Sequence, residues 1–335
     1  MMNRSLRILF FGYHGVGVEA LRRLREDGHQ ILACFTQPPG AAWIPSVAAE
    51  CAKAGIRCID TEPQASDAAA LHDVRPDLVV CAGYTKRITL PFLALPTRGA
   101  INAHLAPLPK FRGIAPVPWG IAGGETSWAV TIHRMTHNYS EGAILRDRPV
   151  VMKPFCNAYE LLAASSLQAA DALAATVQEI ACGAEVALQQ DLRGGVQFFD
   201  GSVPHGGKVD WNQSATQLAA FVRAIDCGRF LEDGRYEHCT PPASAMLSGN
   251  ELGIWRARAG GTVSNFAPGT ITRCDGELWV QTGRGHLVID QIVDDGGRDC
   301  SAADYIASHH LQAGDAFDNG NRWAASQGST LNHAA

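Results

Sequence analysis

Between Arg7 and His104 the chain alternates short, nearly continuous apolar runs with stretches of helical periodicity, and this alternation narrows the possible folds sharply. The strand-like runs are Arg7–Gly12, Ile31–Phe35, Arg57–Ile59, Leu78–Cys81 and Ala100–His104. Helical stretches lie between them: Val18–Arg25, with Val18, Leu21 and Leu24 on one face, Ile44–Ala54, and the weaker Ala68–Leu71. Leu78–Cys81 is nearly continuous in apolar residues, as expected of a strand covered on both faces. A β-α-β-α rhythm of such strands predicts a mostly parallel, Rossmann-like α/β sheet.

Two further strands are expected at Ala129–Met135 and Ile144–Val151, then one long helix over Asn157–Cys182. Asn157 with Glu160 three residues on reads as a capping box, and Gly183 as its stop. The Gly-rich segment Gly194–Gly207 reads as a loop and a domain boundary. Beyond it, Asn212–Ile225 is expected to be helical, followed by strands at Glu251–Arg258, Gly269–Cys274, Glu277–Thr282 and His286–Val293. Asp275-Gly276 suits a hairpin turn. That pattern predicts a small, OB-like β-barrel. The expected organisation is a catalytic domain over 1–195, a barrel over 205–312 and a flexible tail over 313–335. A chain of 335 residues accommodates both domains comfortably.

Formal net charge is -5, which gives no electrostatic reason to expect a nucleic acid or an anionic membrane as partner. The first apolar run is too short for a signal-peptide core, and no stretch approaches the roughly 18 apolar residues of a spanning helix. A cytoplasmic protein is expected. The ten cysteines are scattered and include no Cys-x-x-Cys pair. They read as small buried hydrophobes or ordinary thiols, with neither a disulfide framework nor a metal site.

Gly12-Tyr13-His14-Gly15-Val16-Gly17 follows the first strand. Its spacing departs from G-x-G-x-x-G, so a tight turn that lets a helix pack on the sheet is favoured over a dinucleotide site. Asn102 and His104 lie two apart at the end of a predicted strand, so both side chains point the same way. Carboxyl ends of strands in an open α/β sheet face the ligand crevice. Pro107 and Pro109 stiffen the loop that follows. His133 and His137 straddle a strand and a turn, so the helix-face argument for a metal does not apply and they read as non-ligands of a metal.

Asn102-Ala103-His104 followed by Leu108-Pro109-Lys110-Phe111-Arg112-Gly113 resembles the signature of 10-formyltetrahydrofolate-dependent formyltransferases. The likeness extends from Phe11–His14 and Glu19–Leu21 through Val79–Tyr84 to Asp210-Trp211-Asn212 and Ile254–Arg258, covering roughly residues 6–293. It implies transfer of a formyl group from 10-formyltetrahydrofolate to an amine, without a metal. Asn102 would donate to the oxygen of the attacked carbon, and His104 would stabilise charge or carry a proton. Tyr84, Arg87, Ile88, Leu108, Arg112 and His137 are expected at the folate. Tyr13, His14 and Lys110 are expected at the acceptor.

One position departs from the family pattern. Aligned on Met135 and Gly142, Ser140 stands where the family carries a catalytic Asp. Three readings stay open: Glu141 substitutes for it; another acceptor such as His137 or the substrate takes the proton, or a different one-carbon unit is transferred; or the chain is a catalytically silent folate- or metabolite-binding protein. Methionyl-tRNA formyltransferases resemble the chain over both domains. However, Thr36–Pro45, where they carry a basic insertion, holds no Lys or Arg, and from Asp200 onward there are ten Lys and Arg against sixteen Asp and Glu. A small-metabolite amine, an amino sugar or an amino-acid-type natural-product intermediate, is therefore the expected partner, nucleic acid is not, and a homodimer is left open.

Overall fold

The computed structural model describes residues 5–38, 44–193, 197–230, 236–237, 240–261 and 265–319. The N-terminal part runs β1 (Arg7–Gly12), α1 (His14–Glu26), β2 (Gln30–Phe35), α2 (Val47–Ala54), β3 (Cys58–Ile59), α3 (Ala65–His72), β4 (Leu78–Ala82), α4 (Leu90–Ala94), β5 (Ala100–His104), β6 (Phe111–Ile114), α5 (Pro116–Ala122), β7 (Trp128–Arg134), β8 (Ile144–Val150), α6 (Ala158–Cys182) and β9 (Gln197–Asp200). A seven-stranded sheet has the order β3-β2-β1-β4-β5-β7-β8. β1 to β5 run parallel, while β7 pairs antiparallel with both β5 and β8.

Both faces of this sheet are buried, which explains its uninterrupted apolar strands. On one face α1 and α6 contribute Leu21, Leu24, Leu173, Val177 and Ile180. On the other, Phe11 and Phe35 stack with ring centroids 4.6 Å apart, and Phe92 of α4 meets both edge-on. The glycine turn serves packing: a Cβ on Gly17 would lie 2.9 Å from the Val47 side chain and 3.1 Å from the Ala82 carbonyl oxygen. Asn157 caps α6 in the expected capping box, and Gly183 closes it in the left-handed region.

The segment read as a loop between the domains is partly ordered. β9 adds in parallel to β6, and Pro204–Gly207 forms a short 3-10 turn. Phe111 and Phe199 stack at 5.8 Å, and Trp119 lies 5.2 Å from Phe199. Aromatic burial between two short strands is what makes this linker a strand.

The C-terminal part holds α7 (Ala215–Ile225), β10 (Arg229–Phe230), β11 (Tyr236–Glu237), β12 (Ala243–Leu247), β13 (Asn250–Gly260), β14 (Ile271–Cys274), β15 (Leu278–Gln281), β16 (His286–Val293), β17 (Asp299–Ser301) and α8 (Ala302–His309). Its six-stranded antiparallel sheet runs β12-β13-β16-β15-β14, with β17 on β16, around a core containing Trp211, Phe221 and Ile254. Residues 313–319, expected as the start of a flexible tail, pack on this sheet. Ala316 and Phe317 bridge to Thr270 and Leu247, linking the two ends of that ladder, and Phe317 is buried against Trp211 at 4.9 Å. Residues 320–335 lie outside the described residues.

The cysteines are less scattered in space than in sequence. Cys34, Cys51 and Cys58 bring their sulfurs within 4.8 Å of one another. No helix among the described residues is long and apolar enough to cross a membrane.

Candidate active site

β1, β4 and β5 end at a cleft of about 700 Å³, on the carboxyl side where the parallel strand order reverses. Gly83 (φ +76°) lets the chain turn out of β4, because a Cβ there would sit 2.6 Å from the Tyr13 carbonyl oxygen. Asn102 and His104 line the cleft together, as their spacing on β5 requires.

The amide of Asn102 is oriented by a residue from the neighbouring strand. β5 and β7 pair so that Asn102 lies opposite His133, and Asn102 Nδ2 is 3.1 Å from His133 Nε2. His133 Nδ1 is 2.8 Å from the Arg134 carbonyl oxygen. A carbonyl only accepts, so Nδ1 carries the ring proton and bare Nε2 accepts from the amide. Asn102 thus keeps one amide hydrogen uncommitted among the described residues. Burial, with a smaller contribution from His104, pushes His133 down to about 3, so it is neutral near pH 7.

His104 is fixed in the same way. Its Nε2 lies 2.6 Å from the Phe111 carbonyl oxygen and donates to it, which leaves Nδ1 as the acceptor nitrogen. Burial pushes His104 down to about 4, partly opposed by that hydrogen bond. It is therefore a neutral imidazole near pH 7, with Nδ1 able to accept a proton or to orient a group.

Ser140 reaches the cleft at the tip of the turn after β7, in the left-handed region (φ +56°). Its Oγ accepts from the Gly113 N–H at 3.4 Å. Glu141 does not line the cleft; it pairs with Arg112 and accepts from Asn138 Nδ2 at 2.7 Å. The turn is clamped from outside. Gln190 Nε2 donates to the Ser140 and Gly142 carbonyls at 3.0 and 2.6 Å, Arg87 to the His137 carbonyl at 3.0 Å, and Arg112 to the Tyr139 carbonyl at 3.2 Å.

Of the remaining residues singled out from sequence, Tyr84, Arg87, Ile88, His137 and His14 line the cleft. Leu108, Arg112, Tyr13 and Lys110 do not. The Leu108 N–H donates to Thr131, the Tyr13 hydroxyl to the Pro38 carbonyl, and Lys110 pairs with Glu125 at 2.6 Å. His133 was missed as a site residue. Only the β5–β7 register reveals it, and register is a tertiary property. Also unforeseen is the wall formed by Tyr159, Leu162 and Leu167 of α6 with Cys227 and Thr240 from beyond the linker.

The cleft lining is mostly apolar, with a few polar side chains among it. Tyr84 packs edge-on to Phe11 at 5.5 Å, and its buried hydroxyl has no partner among the described residues. Such a group calls for a polar atom from a ligand.

The Formyl transferase family profile matches residues 6–173, and the profile of the formyl transferase C-terminal domain matches residues 203–310. The chain belongs to the formyl transferase family. The methionyl-tRNA formyltransferase of Caldanaerobacter subterraneus subsp. tengcongensis is 26% identical to it over 318 residues, covering 92% of this chain and 99% of that protein. The corresponding protein of Chromobacterium violaceum is 27% identical over 332 residues, covering 92% and 98%. An N-formyltransferase from Helicobacter canadensis, solved with folinic acid and dTDP-3-aminofucose, shares the fold at TM-score 0.64 and 12% identity, covering 85% of this formyl transferase and 98% of that chain. HypX from Aquifex aeolicus with tetrahydrofolic acid does so at TM-score 0.61 and 18% identity, covering 92% of this chain and 48% of that one. The chain thus spans about half the length of HypX.

Proposed function

We propose that this formyl transferase moves a formyl group from 10-formyltetrahydrofolate to the amine of a small metabolite in the cytoplasm. The reading rests on one observation: Asn102, its amide turned by His133, and neutral His104 share one edge of an apolar cleft. The folate supplies the formyl carbon. Tyr84, Ile88, Arg87 and His137 would hold it and His14 would meet the acceptor; all five line the cleft. The free amide hydrogen of Asn102 meets the oxygen on which negative charge develops as the amine attacks.

Among the described residues, Ser140 leaves the edge beside Asn102 with the neutral groups Asn102, His104, His133 and Ser140, while the carboxylate-bearing Glu19 lines the cleft from α1. A buried amine away from a carboxylate loses hydration and favours its uncharged, nucleophilic form. The amine's proton then passes to His104 Nδ1 or out through solvent, the bond from the formyl carbon to N10 of the folate breaks, and N10 takes a proton as tetrahydrofolate leaves. Glu141, committed to Arg112 and Asn138, serves the turn rather than the proton.

The test is release of tetrahydrofolate from 10-formyltetrahydrofolate with a panel of amino sugars, amino acids and methionyl-tRNA. Turnover on a small amine that collapses in Asn102→Ala and His104→Ala supports the reading. Folate binding without turnover on any amine overturns it. A second reading, methionyl-tRNA as acceptor, is favoured by the full-length similarity to methionyl-tRNA formyltransferases. The acid excess from Asp200 onward weighs against a phosphate backbone on that half, and turnover on the tRNA alone would establish it.

A further inference from the structure

Cys34, Cys51 and Cys58 come from three successive elements, β2, α2 and β3, and converge on one point. Cys34 and Cys58 are directly opposed on adjacent parallel strands, and Cys51 descends on them from the helix. Their sulfurs lie within 4.8 Å of one another. Cys34 and Cys51 are fully buried and Cys58 is half-buried, so the cluster opens to solvent at one member.

We propose that these three thiols form a binding site for a thiophilic d10 cation of the zinc and cadmium class, separate from formyl transfer. A zinc–thiolate bond of about 2.3 Å demands sulfurs about 3.8 to 4.0 Å apart around a shared ion, and the observed spread accommodates that. Burial of small apolar groups alone would be served by alanine or valine, without turning three sulfurs toward one another. As the cation binds, each thiol gives its proton to solvent, a metal–sulfur bond replaces it, and the cation sheds water. A water on the half-buried side at Cys58 would complete the fourth position. Occupancy would tie α2 to β2 and β3.

The probe is cadmium ion added to the reduced, metal-free full-length protein. The expected result is one equivalent bound, an ultraviolet thiolate-to-cadmium charge-transfer band and a raised Tm. Cys58→Ser and Cys51→Ala should each lose the stoichiometric band, while Cys182→Ser, which removes an exposed thiol, should keep it. Circular dichroism verifies that each variant is folded. Absence of stoichiometric binding, survival of the band in folded Cys58→Ser, or a Cys34–Cys58 disulfide found by mass spectrometry of the unreduced protein would each overturn the proposal.

Discussion

His133 and Asn102 act as one unit at the residue scale. Asn102→Ala removes the amide itself and should lower kcat about a hundredfold, since one such donor is worth about 3 kcal/mol of barrier. His133→Phe keeps the amide but releases its orientation. A neutral hydrogen bond nets about 1 kcal/mol, so kcat should fall by tenfold or less with folate affinity unchanged. Steady-state kinetics beside equilibrium folate binding distinguishes the two. The same histidines set a pH dependence of stability. Folding lowers His104 to about 4 and His133 to about 3 from 6.5. Below about pH 6.5 the unfolded chain takes up protons that the folded chain refuses, so stability falls as pH drops from there toward 4, and above it this contribution is constant. Urea midpoints should therefore decline below neutrality, and less steeply in His133→Phe.

At the scale of elements, the pairing of β6 with β9 holds the loop after His104 in place. Gly113 makes it possible: its φ is +100°, and a Cβ there would sit 2.0 Å from the Phe199 carbonyl oxygen. Gly113→Ala should part the two strands, lowering Tm by several degrees, on the order of 1–3 kcal/mol, and raising KM for folate. A variant with unchanged Tm and KM would show that β9 does not support the site. The turn from Met135 to Gly142 depends on the same kind of close approach. A Cβ on Gly142 would lie 1.9 Å from the Arg134 carbonyl oxygen.

The whole molecule is joined at the start of α6. Asn157, while capping that helix, also donates to Asp226 at 3.0 Å, and the Tyr159 N–H donates to the Asp226 carbonyl at 3.3 Å. The cleft is thereby walled from both halves of the chain, so the stability of the C-terminal sheet bears on the site. Phe317, the plug between the ends of that sheet, should cost about 3 to 5 kcal/mol when cut to alanine. Thermal melting of Phe317→Ala tests this; a loss under about 1 kcal/mol would mean the sheet closes without it.

Periodicity and the Asn102-x-His104 signature were enough to place the parallel strands, the long capped helix, the antiparallel second domain and the edge on which Asn102 and His104 sit. These are local properties, carried by side-chain alternation, caps and turns. Four features needed the folded chain: the role of His133, the diversion of Glu141 to Arg112, the pairing of β9 with β6, and the meeting of Cys34, Cys51 and Cys58. Each depends on strand register or on contacts between residues distant in sequence, and local patterning does not encode which distant partners meet. At Asn102, the sequence determined which amide faces the cleft, and the tertiary structure decided which way that amide turns, because the histidine that turns it lies on a different strand.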